Sequence, residues 1–159
     1  RAFAELRRTS NVRLMILGGA TSGSKTELRQ SDLAAMAAGL GVGDDVALPG
    51  YMPNPYPYMA RASVFVLASA WEGFGNVLVE AMACGCPVVA TDCPTGPAEI
   101  LDGGRFGPLV PVGDAPALAA AIAYVLANPT DSRLLRQRAD EFTIERSVDA
   151  YLHVLFGET

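Results

Sequence analysis

Apolar runs that do not alternate, each separated from the next by a helical pattern, decide what this chain can become. Residues 64–68 read VFVLA and residues 87–91 read PVVAT; residues 12–17, VRLMIL, read as a third buried strand. A strand with one wet face alternates apolar and polar side chains, whereas a run apolar throughout is covered on both faces. Two shorter pieces join them: a strand over 46–48, closed by Pro49-Gly50, and a short edge strand at 109–110. Helical patterns lie between, over 27–39 ending on Gly39, 55–62, and 77–84 stopped by Gly85. Asp114 has the chemistry of an N-cap, and the helix after it sets Leu118, Ile122, Val125 and Leu126 on one face until Asn128-Pro129 stops it. A last helix near Thr143 carries the stripe Ile144, Val148, Tyr151, Leu152, Leu155 and Phe156, expected to be a core face, with a partner surface as the alternative. Strands separated by helices define an α/β chain built on a doubly wound parallel sheet. Ligands in such sheets bind beyond the carboxyl ends of the strands, so the loops after residues 17, 48, 68 and 91 are the places to search.

The length, 159 residues, fits a single domain over 1–159. Half the residues are hydrophobic, which excludes a disordered chain. The net charge of −5 offers no footprint for nucleic acid or anionic lipid. It does not exclude a phosphate ligand, which a few backbone amides can hold locally. Cys84, Cys86 and Cys93 are odd in number and too close together for a disulfide framework, and the only histidine, His153, is far along the chain. They read as small core residues in a reducing compartment, and no metal is expected. No run of ~18 apolar residues suggests a transmembrane span. The opening RAFAELRR reads as a helix already under way without an initiator methionine, so a fragment of a longer protein is expected.

One loop resembles a nucleotide hydrolase motif and fails the test of spacing. Gly18 and Gly23 have the separation of a phosphate-binding loop, but Ser24 intrudes and Lys25-Thr26 follows one residue late. At a helix start, a slip of one residue turns a side chain by about 100°. The lysine then no longer folds back over the phosphates.

Residues 70–92, AWEGFGNVLVEAMACGCPVVATD, carry more chemistry. Gly73 and Gly75 permit a tight turn after the strand, and a helix begins near Asn76. The amides of Gly75, Asn76 and Val77 are then free donors at a helix N-terminus, which suits a diphosphate. Glu72 precedes the turn, and Glu80 is expected about two turns into the helix, where one carboxylate can accept two hydroxyls. Taken alone, each glutamate competes with a solvated surface residue or a partner of the helix dipole.

The same stretch resembles glycosyltransferase family 4, the retaining GT-B glycosyltransferases, through its E-x7-E pattern: Glu72 and Glu80 with seven residues between them. The likeness extends upstream through VALPGYMPNPYPYMARASVFVLAS and downstream through CPTGPAEILDGGRFGPLVPVGDAPALAAAI. It implies half of a fold of two Rossmann-like domains facing across a cleft, this chain being the carboxyl-terminal, donor-binding one. By the resemblance Glu80 binds ribose hydroxyls. Glu72, the candidate catalytic residue, lies against the donor sugar with the amides of Gly73, Phe74 and Gly75. Asn76, Val77 and Leu78 meet the diphosphate, and Tyr51 and Met52 flank the base.

Two departures are expected. Family members carry an arginine and a lysine for the diphosphate on the strand and loop just before the point where this chain begins, and the strand bearing the arginine is central in the sheet. The acceptor domain is also outside this chain. The resemblance implies sugar transfer with retention from a nucleoside diphosphate sugar to an acceptor hydroxyl of a glycan or lipid-linked sugar. A UDP-sugar is favoured and GDP-mannose stays open. The isolated fragment is expected to be inactive and prone to self-association through exposed sheet edges. No cofactor and no metal are expected. The expected location is cytoplasmic, with the inner face of the membrane as the alternative for a full-length protein. The competing readings are a non-catalytic nucleotide-binding or scaffold module and a related GT-B nucleotide-sugar epimerase.

Overall fold

The computed structural model describes residues 1–18 and 30–157. Its elements, in chain order, are α1 (Ala2–Arg7), β1 (Leu14–Leu17), α2 (Gln30–Gly39), β2 (Val46–Gly50), α3 (Tyr56–Met59), β3 (Phe65–Leu67), α4 (Asn76–Ala83), β4 (Val88–Thr91), α5 (Pro97–Ile100), β5 (Leu109–Val110), α6 (Ala115–Ala127), α7 (Ser132–Ala139) and α8 (Ile144–Phe156). Short 3-10 turns stand at Gly43–Asp45 and Asp140–Phe142. The offending lysine and serine of the hydrolase-like loop, Lys25 and Ser24, lie outside the described residues, as does the start of the helix expected over 27–39.

Every strand pair is parallel, in two separate sheets ordered β1-β2 and β3-β4-β5. The register pairs Phe65 with Val88 and Leu67 with Ala90, and then Ala90 with Leu109. β4 is buried at all four positions because both its faces are covered. On one face Val88 and Ala90, with Phe65 and Leu67, pack with Leu78, Ala81 and Met82 of α4 and Leu135 of α7. On the other face Val89, with Val64 and Val66, meets Leu6 of α1 and Ile122 and Val125 of α6. This two-sided packing is the doubly wound arrangement that the flat apolar runs predict.

Strand β1 is not the buried strand expected over 12–17: it spans Leu14–Leu17, none of which is buried, and Met15 is 47% exposed. Four further details differ from the sequence reading. Strand β2 runs through Pro49 instead of stopping before it. Among the described residues it is an edge strand, paired to β1 alone, and an edge tolerates a residue without an N–H. Helix α7 and the short α5 are additional. Helix α7 is polar at most positions, burying only Leu135 and Ala139, so no apolar stripe announces it. The third correction concerns α8, capped by Thr143 as expected, which buries none of its residues. Ile144, Tyr151, Leu155 and Phe156 are each more than two-thirds exposed and Val148 and Leu152 are exposed too, so this stripe is not a core face of the chain. Finally, Glu80 stands closer to the start of its helix than expected, as described below.

Candidate functional site

The site is built on the connection from β3 to α4. The strand ends at Leu67, and the chain turns through residues 68–75 before α4 begins at Asn76. Gly75 is the N-cap, at φ 94° and ψ 40°, a left-handed conformation that a side chain would disfavour. Leu78, Ala81 and Met82 of the first turns are fully buried, which fixes the axis of α4 against β3 and β4. At its other end, the Arg136 guanidinium donates to the Cys84 carbonyl at 3.3 Å, a cation where the helix dipole is negative.

The amides at the start of α4 are open. No hydrogen bond engages the N–H groups of Gly73, Phe74, Gly75, Asn76 or Val77 among the described residues. The amide of Leu78 differs: it donates to the Gly75 carbonyl at 2.8 Å, which removes it from the set of open donors. A row of free N–H groups at the positive end of a helix attracts an anion.

Two carboxylates flank this row. Glu72 is half-buried, and the Ser69 hydroxyl donates to its Oε1 at 2.6 Å. Glu80, also half-buried, is the fifth residue of α4, about one turn into the helix instead of two. Among the described residues neither glutamate has a cationic partner, the ion pairs being Arg7–Asp45, Arg105–Asp102 and Arg138–Glu141. Carboxylates without a cation are free to accept hydroxyl hydrogens.

The remaining candidates are dispersed. Tyr51 and Met52 follow β2, at the carboxyl end of the two-stranded sheet; Tyr51 is 78% exposed, and among the described residues no hydrogen bond ties either one to the β3–α4 turn. Trp71 is 77% exposed and so does not pack beneath the loop. Asp92 and Glu99 are exposed, and Glu99 is the third residue of α5, where its carbonyl accepts from Arg138 at 2.6 Å. His153 is on α8. The three cysteines are free thiols. Burial, with Cys84 nearby, pushes the Cys86 thiol up to about 11. Among the described residues no three His, Cys, Asp or Glu side chains converge on a metal-sized space, and no helix is long and apolar enough to cross a membrane.

Sequence reasoning missed the groups that hold the turn from behind. The Thr91 hydroxyl donates to the Ser69 carbonyl at 2.6 Å, and the Thr95 hydroxyl to the Glu72 carbonyl at 2.6 Å. Gly96 lies against the peptide of Phe74. The only signal available was Thr-Gly-Pro beyond the carboxyl end of a buried strand, a combination that marks a turn without saying what it touches.

Parallel strands covered on both faces, with a glycine turn leaving open amides at a strand's carboxyl end, define a Rossmann-like α/β domain of the kind found in GT-B glycosyltransferases. The chain belongs to the glycosyl transferases group 1, whose family model matches residues 1–128. It is 32% identical, over 96% of its length, to the N-acetylgalactosamine-N,N'-diacetylbacillosaminyl-diphospho-undecaprenol 4-alpha-N-acetylgalactosaminyltransferase of Campylobacter jejuni. Among solved structures, its fold is similar to that of the lipopolysaccharide outer core galactosyltransferase WaaB, at TM-score 0.82, 21% identity and 99% coverage. Anabaena HepE, in complex with UDP and glucose, matches at TM-score 0.78, with 27% identity over 97% of this chain. The chain spans 41% of the Campylobacter relative and 44% of each of the two structures, so it corresponds to less than half of such proteins.

Proposed function

We propose that this chain is the donor-binding domain of a retaining glycosyltransferase of family 4. It serves sugar transfer from a nucleoside diphosphate sugar to an acceptor hydroxyl in glycan or lipopolysaccharide synthesis. The observation that carries the reading is the row of amides from Gly73 to Val77, open among the described residues and set between two half-buried carboxylates that have no cationic partner there. In this reading the amides of Asn76 and Val77 hold the diphosphate, and Leu78 contributes through its buried side chain, which seats the helix. Those of Gly73, Phe74 and Gly75 face the donor sugar together with Glu72. Glu80 accepts the ribose hydroxyls, and Tyr51 and Met52 flank the base. UDP is the favoured nucleotide, supported by the likeness to HepE, which was solved with UDP and glucose; GDP-mannose is the alternative.

The chemistry follows from where charge develops. As the bond to the sugar breaks, negative charge grows on the departing diphosphate, and donors already aimed there lower the barrier without reorganising. The acceptor attacks the same face that the diphosphate leaves, and the diphosphate assists removal of the acceptor's proton. No covalent protein nucleophile and no metal take part. Two cations and a further parallel strand precede Arg1 in the full-length enzyme. The break between the two sheets supports this, since among the described residues β1 and β3 are each paired on one side only. Without that strand and the acceptor domain, the 159-residue chain is inactive. The full-length enzyme works in the cytoplasm, where lipid-linked acceptors are met at the inner face of the membrane.

Calorimetric titration of the full-length polypeptide with UDP and with GDP tests the reading. We expect Glu80→Ala to weaken binding of the preferred nucleotide about tenfold or more, the scale for losing hydrogen bonds to a charged group. Unchanged affinity would remove Glu80 from the ribose site. Robust sugar transfer by the isolated chain would contradict its assigned inactivity.

A further inference from the structure

Two peptide planes of the β3–α4 turn are set from outside the turn. Among the described residues Thr95 and Asp102 are the non-glycine residues with positive φ, at 64° and 50°. Aspartate visits this region readily, whereas a β-branched residue there is an outlier. Glycine would take the conformation of Thr95 at lower cost. What threonine adds is its hydroxyl, which donates to the Glu72 carbonyl at 2.6 Å, with the Pro94 carbonyl also near at 2.8 Å. The next residue, Gly96, is pressed against the following turn of backbone. A β-carbon on it would lie 1.6 Å from the Phe74 oxygen and 2.4 Å from its carbonyl carbon.

A trans peptide is planar, and its C=O and N–H point in opposite directions; no peptide among the described residues is cis. Holding the Glu72 carbonyl therefore aims the N–H of Gly73 away from Thr95. Seating the Phe74 carbonyl on Gly96 aims the N–H of Gly75 in the same manner. Both amides are among the open donors of the site. The neighbouring bonds, from Thr91 to the Ser69 carbonyl and from Ser69 to the Glu72 carboxylate, fix the rest of the turn to the carboxyl end of β4.

We infer that the Thr95–Gly96 turn aims the amides of the donor loop, and that Thr95 is a positioning residue for nucleotide-sugar binding. The inference rests on the donor-binding reading above. Backbone strain retained beside a ligand loop is the pattern from which such a role is argued.

The test uses the full-length polypeptide, with UDP and GDP as calorimetric probes and thermal unfolding as the control. Thr95→Val, without a hydroxyl, is expected to bind the preferred nucleotide about tenfold more weakly. Thr95→Ser keeps the hydroxyl and recovers most of that loss. Thr95→Gly is the discriminating variant: it relieves the strained φ, so its melting temperature is not lowered, yet its affinity falls as in Thr95→Val. A merely structural threonine would give the opposite result, with affinity following stability across the three variants, and that outcome overturns the inference. So does nucleotide affinity within twofold of the unsubstituted protein in Thr95→Gly, which stands in should Thr95→Val fail to fold. If the unsubstituted protein binds neither UDP nor GDP, the donor-binding reading itself fails and takes the inference with it.

Discussion

The three-stranded and two-stranded sheets share a parallel topology but differ in how they are covered. In the first, all four residues of β4 are buried between α4 and α7 on one side and α1 and α6 on the other. In the second, no strand residue is fully buried, and Met15 in β1 is 47% exposed. The difference coincides with the placement of chemistry. The open amides and both carboxylates emerge from the covered sheet, where packing on two sides holds a backbone in one geometry. Tyr51, exposed, and Met52, half-buried, stand at the end of the looser sheet, and among the described residues no hydrogen bond ties them to that site. In the proposed reading, the donor loop thus rests on the more deeply covered of the two sheets, which supports a fixed backbone geometry.

Matched glycine substitutions break this comparison most sharply. Gly96 and Gly50 have nearly the same φ, 83° and 81°, one beside the site and one at the end of β2. A β-carbon at Gly50 meets nothing within 4 Å, so Gly50→Ala is charged only for its backbone conformation, about 1–2 kcal/mol. At Gly96 the new carbon overlaps the Phe74 peptide, which cannot rotate away, and Gly96→Ala should cost about 4 kcal/mol or more. Denaturant unfolding of the two variants measures the gap; equal losses would mean that the Phe74 contact is not tight.

Side-chain truncation should give a smaller contrast of the same sign. Leu78 is fully buried beneath the start of α4, and Leu78→Ala is expected to destabilise by about 3 kcal/mol. Met15→Ala, in the two-stranded sheet, should cost less than about 1 kcal/mol. Comparable losses at both positions would show the second sheet to be as tightly packed as the first.

These contrasts also separate what could be read in the amino-acid order from what could not. VFVLA and PVVAT announced covered strands because a run without polar residues has no wet face, and both strands form. Gly73, Gly75, Glu72 and Glu80 stood out because a glycine turn before a helix leaves amides free, and the structure leaves five free. The support behind the turn was illegible. Thr95 and Gly96 act through backbone carbonyls more than twenty residues away, and no local pattern encodes such a contact. Helix α7 was illegible for another reason: it is short and polar at most positions, burying only Leu135 and Ala139, while Arg136 and Arg138 reach backbone carbonyls far along the chain that no local pattern names. The stripe of α8 misled because periodicity states that a face is apolar and not what covers it.

Cys86 offers a pH test on the covered side. It joins α4 to β4, is 2% exposed, and burial raises its thiol from 9.0 to about 11. Below pH 9 the thiol is protonated in both folded and unfolded chains, and this contribution to stability is fully present. Between pH 9 and about 11 only the unfolded chain loses its proton, so unfolding becomes easier. The loss should reach about 2–3 kcal/mol and be absent from Cys86→Ala. The measurement is the difference in pH dependence between the two proteins, and parallel curves would rule the contribution out.

The smallest effect is expected on α8, whose apolar stripe has the helical spacing of α6 without its burial. Val125 of α6 is 3% exposed, while Leu155 of α8 is 69% exposed. Burial, not pattern, determines what a leucine contributes, because only area removed from water counts. Leu155→Ser should therefore change the unfolding free energy of the 159-residue chain by no more than about 0.5 kcal/mol. Val125→Ser, which also places a hydroxyl in the second core cluster, should cost several times more. Denaturant unfolding of both variants at several protein concentrations checks this. A cost above about 2 kcal/mol for Leu155→Ser that grows with concentration would place the stripe in a contact between copies of the chain. A cost independent of concentration would place it in the core after all.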